Sequence, residues 1–256
     1  MPTELRVCSF NIRRDWGDDG TDNWMFRQRL VIDTIEEIDP DVIGLQEALP
    51  NQYSYIRDQL NAFDWYGVPR QGNKEGELVP VGWRADRFDA RKCETRWSSE
   101  TPMRPSTSWN ANWTRLVTNV QLLDWEDRGT EISLWNNHFD TGETRRRVKS
   151  AEQLREWVGD SRPCVVMGDF NTEVDGEPIR TLIGDSHLQD ARALADERVG
   201  PLATFHDFEG IHDESIDHVF VSPNVGVTRF ETVTNAEEGK YPSDHFPVVA
   251  DLTFDT

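Results

Sequence analysis

Lysine is almost missing from this 256-residue chain: four Lys stand beside 23 Arg, and 47 Asp and Glu bring the formal net charge to −20. A basic excess, the electrostatic footprint of proteins that grip duplex nucleic acid by its phosphates, is therefore lacking. Cysteine is scarce too. Cys8, Cys93 and Cys164 are odd in number and far apart, which fits neither a disulfide framework nor a zinc site, and Cys8 and Cys164 lie in apolar runs as buried thiols do. No apolar stretch reaches the ~18 residues of a membrane span. Met1-Pro2-Thr3-Glu4-Leu5-Arg6 enters a strand-like pattern with no charged-then-apolar leader, so the expectation is a cytoplasmic protein without a membrane partner.

What remains is enough for a large core: 36% hydrophobic residues, with 10 Trp and 12 Phe, exclude a disordered acidic tail. The chain has no repeat, low-complexity tract or linker and reads as a single domain over residues 1–256, with no obligate protein partner implied. An acidic, Lys-poor, Arg-retaining composition matches a protein from a high-salt cytoplasm, where carboxylates hold water and the screening length falls to about 3 Å near 1 M salt. A halophilic protein of this kind is expected to lose structure as KCl is withdrawn. A melting temperature insensitive to KCl would contradict that expectation.

Periodicity divides the chain into strands at Leu5–Ile12, Asp41–Glu47, Leu78–Arg84, Phe88–Trp97, Leu116–Trp125, Glu131–Phe139, Pro163–Gly168, Ile216–Ser222, Thr228–Asn235 and Pro247–Phe254. Helices are expected at Asp22–Ile38, Gln52–Phe63 and Glu143–Trp157. A parallel sheet would alternate strand and helix throughout, and this chain has strand-rich stretches in its middle and at its end. The fold class that follows is α/β: two packed mixed sheets flanked by helices.

Polar residues interrupt these apolar runs at their ends: Asn11, Glu47, His138, Asp169 with Asn171, Asp217, and Asp244-His245. Singly, Asn11 reads as a turn residue and Glu47 as a solvated carboxylate. Together they are of the metal-ligand and proton-transfer types, and a carboxylate withdrawn from water is costly unless paired or metal-bound. Spacing alone does not bring the strand ends together.

The segments Ser9-Phe10-Asn11-Ile12-Arg13, Leu45-Gln46-Glu47, Asn136-Asn137-His138-Phe139-Asp140, Gly168-Asp169-Phe170-Asn171, Ile216-Asp217-His218-Val219-Phe220 and Ser243-Asp244-His245-Phe246-Pro247-Val248 resemble, in order, motifs of the endonuclease/exonuclease/phosphatase superfamily, with loops similar to a prokaryotic branch related to the deadenylases. The resemblance implies a four-layered α/β sandwich and a metal-dependent hydrolase acting on phosphoester bonds. Glu47 and Asn11 are then oxygen ligands suited to Mg²⁺ or Mn²⁺, and Asp244 contributes to a second metal position or binds through water. Asp169 is the expected base for the attacking water, and Asn171 holds that water or a phosphate oxygen. His138 and His245 donate to phosphoryl oxygens, with Asp217 orienting His245. The remaining histidines, His187, His206, His212 and His218, read as structural or surface residues.

Substrate contacts are expected from Arg13, Arg115 and Arg147, and from Trp109 or Trp113 stacking on a base or sugar. Arg13 stands where relatives carry an acidic residue, which weakens a second carboxylate metal site there. The Arg145–Arg147 run reads equally as a solvated helix face. The expected substrate is a phosphodiester, such as single-stranded nucleic acid or a nucleotide. Alternatives are a phosphomonoester of a small metabolite, or a binding module without activity. The acidity of the chain speaks against non-specific duplex cleavage.

Overall fold

The computed structural model describes residues 4–17, 19–72, 75–126, 129–161, 163–184, 186–210, 214–237 and 239–254. His212 lies outside them. Strands and helices are numbered along the chain. The fully buried runs Val-Cys-Ser-Phe-Asn and Val-Ile-Gly-Leu-Gln pair in parallel as β1 (Glu4–Asn11) and β2 (Val42–Gln46), joined by the crossover helix α1 (Trp24–Ile38). Asn23 caps α1 by accepting from the Met25 N–H, and Asp39 ends it in a left-handed conformation. The same unit recurs later. There β7 (Thr130–His138) and β8 (Cys164–Asp169) are parallel, and α3 (Thr144–Val158) crosses between them.

Around the first pair, a seven-stranded sheet runs in the order β10 (Glu197–Val199), β12 (Val225–Thr232), β13 (Val248–Phe254), β1, β2, β4 (Val81–Arg84), β3 (Phe63–Tyr66). A six-stranded sheet grows around the second: β5 (Phe88–Trp97), β6 (Leu116–Asp124), β7, β8, β11 (Asp217–Val221), β9 (Gln189–Asp190). Val7, Val42, Val81, Val120, Leu134, Met167, Val219 and Ala250 fill the space between the sheets. On the outer face of the first sheet, α1 and α2 (Pro50–Gln59) cover Phe10, Ile12 and Leu45. On that of the second, α3 and α4 (Glu177–Gly184) cover Trp135, Val166 and Phe170. The result is the expected four-layered α/β sandwich. Among the described residues no helix is long and apolar enough to cross a membrane, and no disulfide forms.

The sheets meet closely below one rim. Gln46 Nε2 donates to Asn136 Oδ1 (2.7 Å), and Asn136 Nδ2 donates to the carbonyls of Leu45 and Pro80 (both 2.9 Å), all buried. Gly44 is required here, since a Cβ would lie 2.7 Å from Asn136 Cγ and 2.8 Å from Met167 Cε.

Some boundaries differ from the periodic reading. The second helix begins earlier, with Pro50 at its first turn and Gln52 Oε1 accepting from the Leu49 N–H (3.1 Å), and it stops at Gln59 because Phe63 opens β3. Of the expected strand Leu78–Arg84, only Val81–Arg84 pairs in a continuous ladder, Leu78 making an isolated bridge to Ala48. The Thr228–Asn235 strand is shifted to Val225–Thr232, with a bulge between Val227 and Arg229. Also present are α4, the short helix α5 (Ala191–Leu194) and the short strands β9 and β10.

Candidate active site

Parallel strands end on the same side of a sheet, and an antiparallel neighbour begins where they end. That geometry answers what spacing could not. Asn11 ends β1 opposite Gln46 of β2, His138 ends β7 opposite Asp169 of β8, and Asp217 starts β11 opposite Asp169. Asp244 and His245 immediately precede β13, which runs antiparallel to β1. All of these side chains therefore reach one rim of the sandwich, at the carboxyl ends of the parallel strands.

The centre is closely hydrogen-bonded. Asn11 Nδ2 donates to Asp169 Oδ2 (2.9 Å) and lies 3.4 Å from Glu47 Oε1, while Asn11 Oδ1 accepts from the Arg13 N–H (3.0 Å). Glu47 Oε2 accepts from the Arg14 N–H (3.1 Å). Asp169 Oδ1 accepts from the Asn171 N–H (2.8 Å), and His245 Nδ1 lies 2.8 Å from Asp217 Oδ2. Glu47, Asn171 and Arg13 all adopt left-handed φ values (61°, 51° and 50°). Such conformations cost on the order of 1–3 kcal/mol each and concentrate at functional sites.

Electrostatics divides the centre into distinct roles. Burial, reinforced by the neighbouring Asp217 carboxylate, pushes the Asp169 carboxyl up to about 7. Burial opposes charge on His245 too, but the Asp217 carboxylate overcomes it and holds the imidazolium up to about 10. His138 goes the other way, because burial and then the Arg115 guanidinium keep its ring well below the ordinary histidine range. Its Nε2 lies 3.5 Å from Asp169 Oδ2, and Arg115 Nη1 lies 3.0 Å from its Nδ1. Burial raises Asp244, whereas Glu47 is drawn below the usual carboxylate value because the Arg14 N–H and nearby cations outweigh its burial.

Several of the expected site residues have partners within the protein. The Asn11 amide nitrogen, rather than its oxygen, faces the carboxylates. Asp244, expected near a second metal, pairs through Oδ2 with Arg13 Nη1 (3.2 Å) and accepts from Ser243 Oγ at Oδ1. Arg13 also pairs with Asp19, so its charge is spent within the site wall. Arg147 donates to the Asp140 and Gly142 carbonyls and to Thr144 Oγ1, which holds the start of α3 in place. Trp109 is half-buried in a left-handed turn and its carbonyl accepts from Arg146. Asn171 Nδ2 donates to the Phe139 carbonyl. Trp113 is exposed, with the Arg70 guanidinium 5.2 Å from its ring centre.

With this geometry in hand, the match of residues 8–245 to the Endonuclease/Exonuclease/phosphatase family is decisive. The chain belongs to that family. An endonuclease/exonuclease/phosphatase family protein from Bacteroides thetaiotaomicron superposes with a TM-score of 0.94 at 31% identity over 100% of both chains. A mannosyl-6-phosphatase of the same species does so with a TM-score of 0.90 at 31% identity, over 98% of this chain and 100% of that one. Rat tyrosyl-DNA phosphodiesterase 2 is 24% identical across 93% of this chain, but the chain spans only 65% of that protein. This member of the family is a hydrolase acting on phosphoester bonds.

The family motifs leave out one part of its site wall. Glu77, buried in the loop before β4, binds Arg14 Nη1 (2.7 Å), Arg70 Nη1 (2.8 Å) and Arg115 Nη1 (3.4 Å). In the sequence only its position ahead of the apolar Leu78-Val79-Pro80 hints at it. That is the same signal of a polar group beside a buried run, here at the opening of a strand.

Proposed function

We propose that this phosphoesterase requires Mg²⁺ or Mn²⁺ and hydrolyses its substrate by in-line attack of water, with Asp169 as the base. The donor set fits such an ion: Asp169, Asp217 and Asp244 are buried and Glu47 is half-buried, four carboxylates that offer hard oxygens. Glu47 would hold the ion, with Asn11 joining it once its amide is turned. A bound ion supplies charge neutralisation as negative charge builds on the phosphoryl and leaving oxygens.

The chain's own residues account for the remaining steps. Asp169 is fixed by the Asn171 N–H and Asn11 Nδ2, and its raised basicity suits it to take the water's proton near neutral pH. As the water oxygen bonds to phosphorus, the ester P–O bond opposite it breaks. The His245 imidazolium, held by Asp217, offers Nε2–H to a phosphoryl oxygen, and His138 offers a second donor.

For the substrate, we favour the terminal phosphate of a small hydroxylated molecule over a phosphodiester. The observation that carries this reading is the arginine flank. Three guanidiniums share the single Glu77 carboxylate beside His138, a local positive excess matched to a dianionic phosphomonoester. The likeness to the mannosyl-6-phosphatase supports it, and the lack of any basic excess argues against a long polynucleotide. The test compares p-nitrophenyl phosphate, mannose 6-phosphate, bis-p-nitrophenyl phosphate and single-stranded DNA with Mg²⁺ or Mn²⁺, in high and low KCl. The monoesters are expected to turn over faster than the diesters. EDTA is expected to lower turnover by about 100-fold or more, and added metal to restore it. Turnover indifferent to EDTA rules out the metal, and faster diester cleavage restores the phosphodiester reading.

A further inference from the structure

Arginine has only N–H donors, so a guanidinium 3.0 Å from an imidazole nitrogen fixes that nitrogen as an acceptor. Arg115 Nη1 therefore leaves His138 Nδ1 without a proton. The one hydrogen of the neutral ring sits on Nε2, on the side of Asp169. His138 can then only donate at Nε2, and the duty of accepting the water's proton falls to Asp169. The role of His138 thus depends on where Arg115 is held.

Glu77 holds it. The residue is 4% exposed, and its carboxylate is clasped by Arg14 and Arg70 as well as Arg115. The loop that presents it is tightly built: the Arg70 N–H donates to the Glu77 carbonyl (2.9 Å), and the Leu78 N–H donates to the Ala48 carbonyl (2.7 Å). Gly76, at φ 82°, has no room for a side chain because a Cβ would lie 2.8 Å from Arg70 Cγ. Ala48 directly follows Glu47, so this loop is anchored to the end of β2 beside the proposed metal ligand.

We infer that Glu77 is a positioning residue for hydrolysis: through Arg115 it keeps His138 neutral with its hydrogen on Nε2, aimed at the reacting centre. The inference rests on the phosphoesterase reading for its kinetic consequence and on geometry alone for the state of the ring. Glu77→Gln is expected to lower kcat on p-nitrophenyl phosphate by about 10- to 100-fold with little change in KM, the range seen when a residue that orients another is lost. In the His138→Gln background the same change is expected to cost less than about twofold, because its effect passes through the ring already removed. Additive losses, or a rise in KM alone, overturn the inference. Should Glu77→Gln fail to fold, Glu77→Asp, which keeps the charge but withdraws the carboxylate from Arg115, takes its place in the cycle with the same two outcomes. Independently, ¹⁵N NMR of the metal-free wild-type protein at neutral pH is expected to find His138 Nδ1 unprotonated, and a proton there overturns the inference as well. Absence of metal-dependent turnover in the wild type would instead sink the proposed metal-dependent mechanism and leave the NMR result standing.

Discussion

Asp169→Asn lowers turnover by about 10²- to 10⁴-fold and leaves the fold intact. The carboxylate sits where it is least comfortable: it is buried, beside Asp217, and its carboxyl is pushed up to about 7. An amide in its place keeps the shape and one acceptor for the Asn171 N–H, and the repulsion it removes with Asp217 offsets the acceptor it withdraws from Asn11 Nδ2. The melting temperature is therefore expected to hold or rise while kcat collapses, the usual opposition between a strained catalytic group and stability. Parallel measurement of kcat and thermal unfolding checks both halves. Near wild-type turnover would remove Asp169 from the role of base, and a large drop in melting temperature would show that its carboxylate carries structure.

The second large effect is expected at Asp217, with the opposite balance. His245 is buried and charged, and Asp217 Oδ2 at 2.8 Å is the counterion that makes that possible. Asp217→Ala leaves a buried cation without its partner, a change that typically costs roughly 3–5 kcal/mol. Asp217→Asn keeps an acceptor for the ring and is expected to cost less in stability while still lowering kcat, since the imidazolium loses its compensating charge. Urea unfolding midpoints of the two variants, read beside their turnover, separate geometry from charge. Equal midpoints for the Ala variant and the wild type would show that the pair contributes nothing to the fold.

Much of this site could be read from residues that break apolar runs. Asn11, Glu47, His138, Asp169, Asp217 and His245 were each visible as a polar group at a strand end, and parallel pairing explains why such ends converge. Sheet strands β1, β2 and β6 to β8 were legible for the same reason, being largely buried runs. The arginine flank was not. Arg14, Arg70 and Glu77 lie in irregular segments, brought together by the pairing of Leu78 with Ala48 and by the Arg14 N–H on Glu47. Nor does composition tell which charges neutralise one another: Arg13 pairs with Asp244, and Arg147 with the carbonyls of its own loop. The helix α4 escaped because eight residues are too few to display a period, and its apolar face is meaningful only against α3.

The buried amides of Gln46 and Asn136 act as a bolt between two slabs. Asn11 and Glu47 are carried by one slab, and His138, Asp169 and Asp217 by the other, so any sliding at that seam would pull the two halves of the centre out of alignment. With the bolt directly beneath the rim, the halves cannot drift apart while the sandwich holds. Thermal inactivation should consequently follow the same curve as global melting, with no cooler step in which an intact body has already lost its working edge.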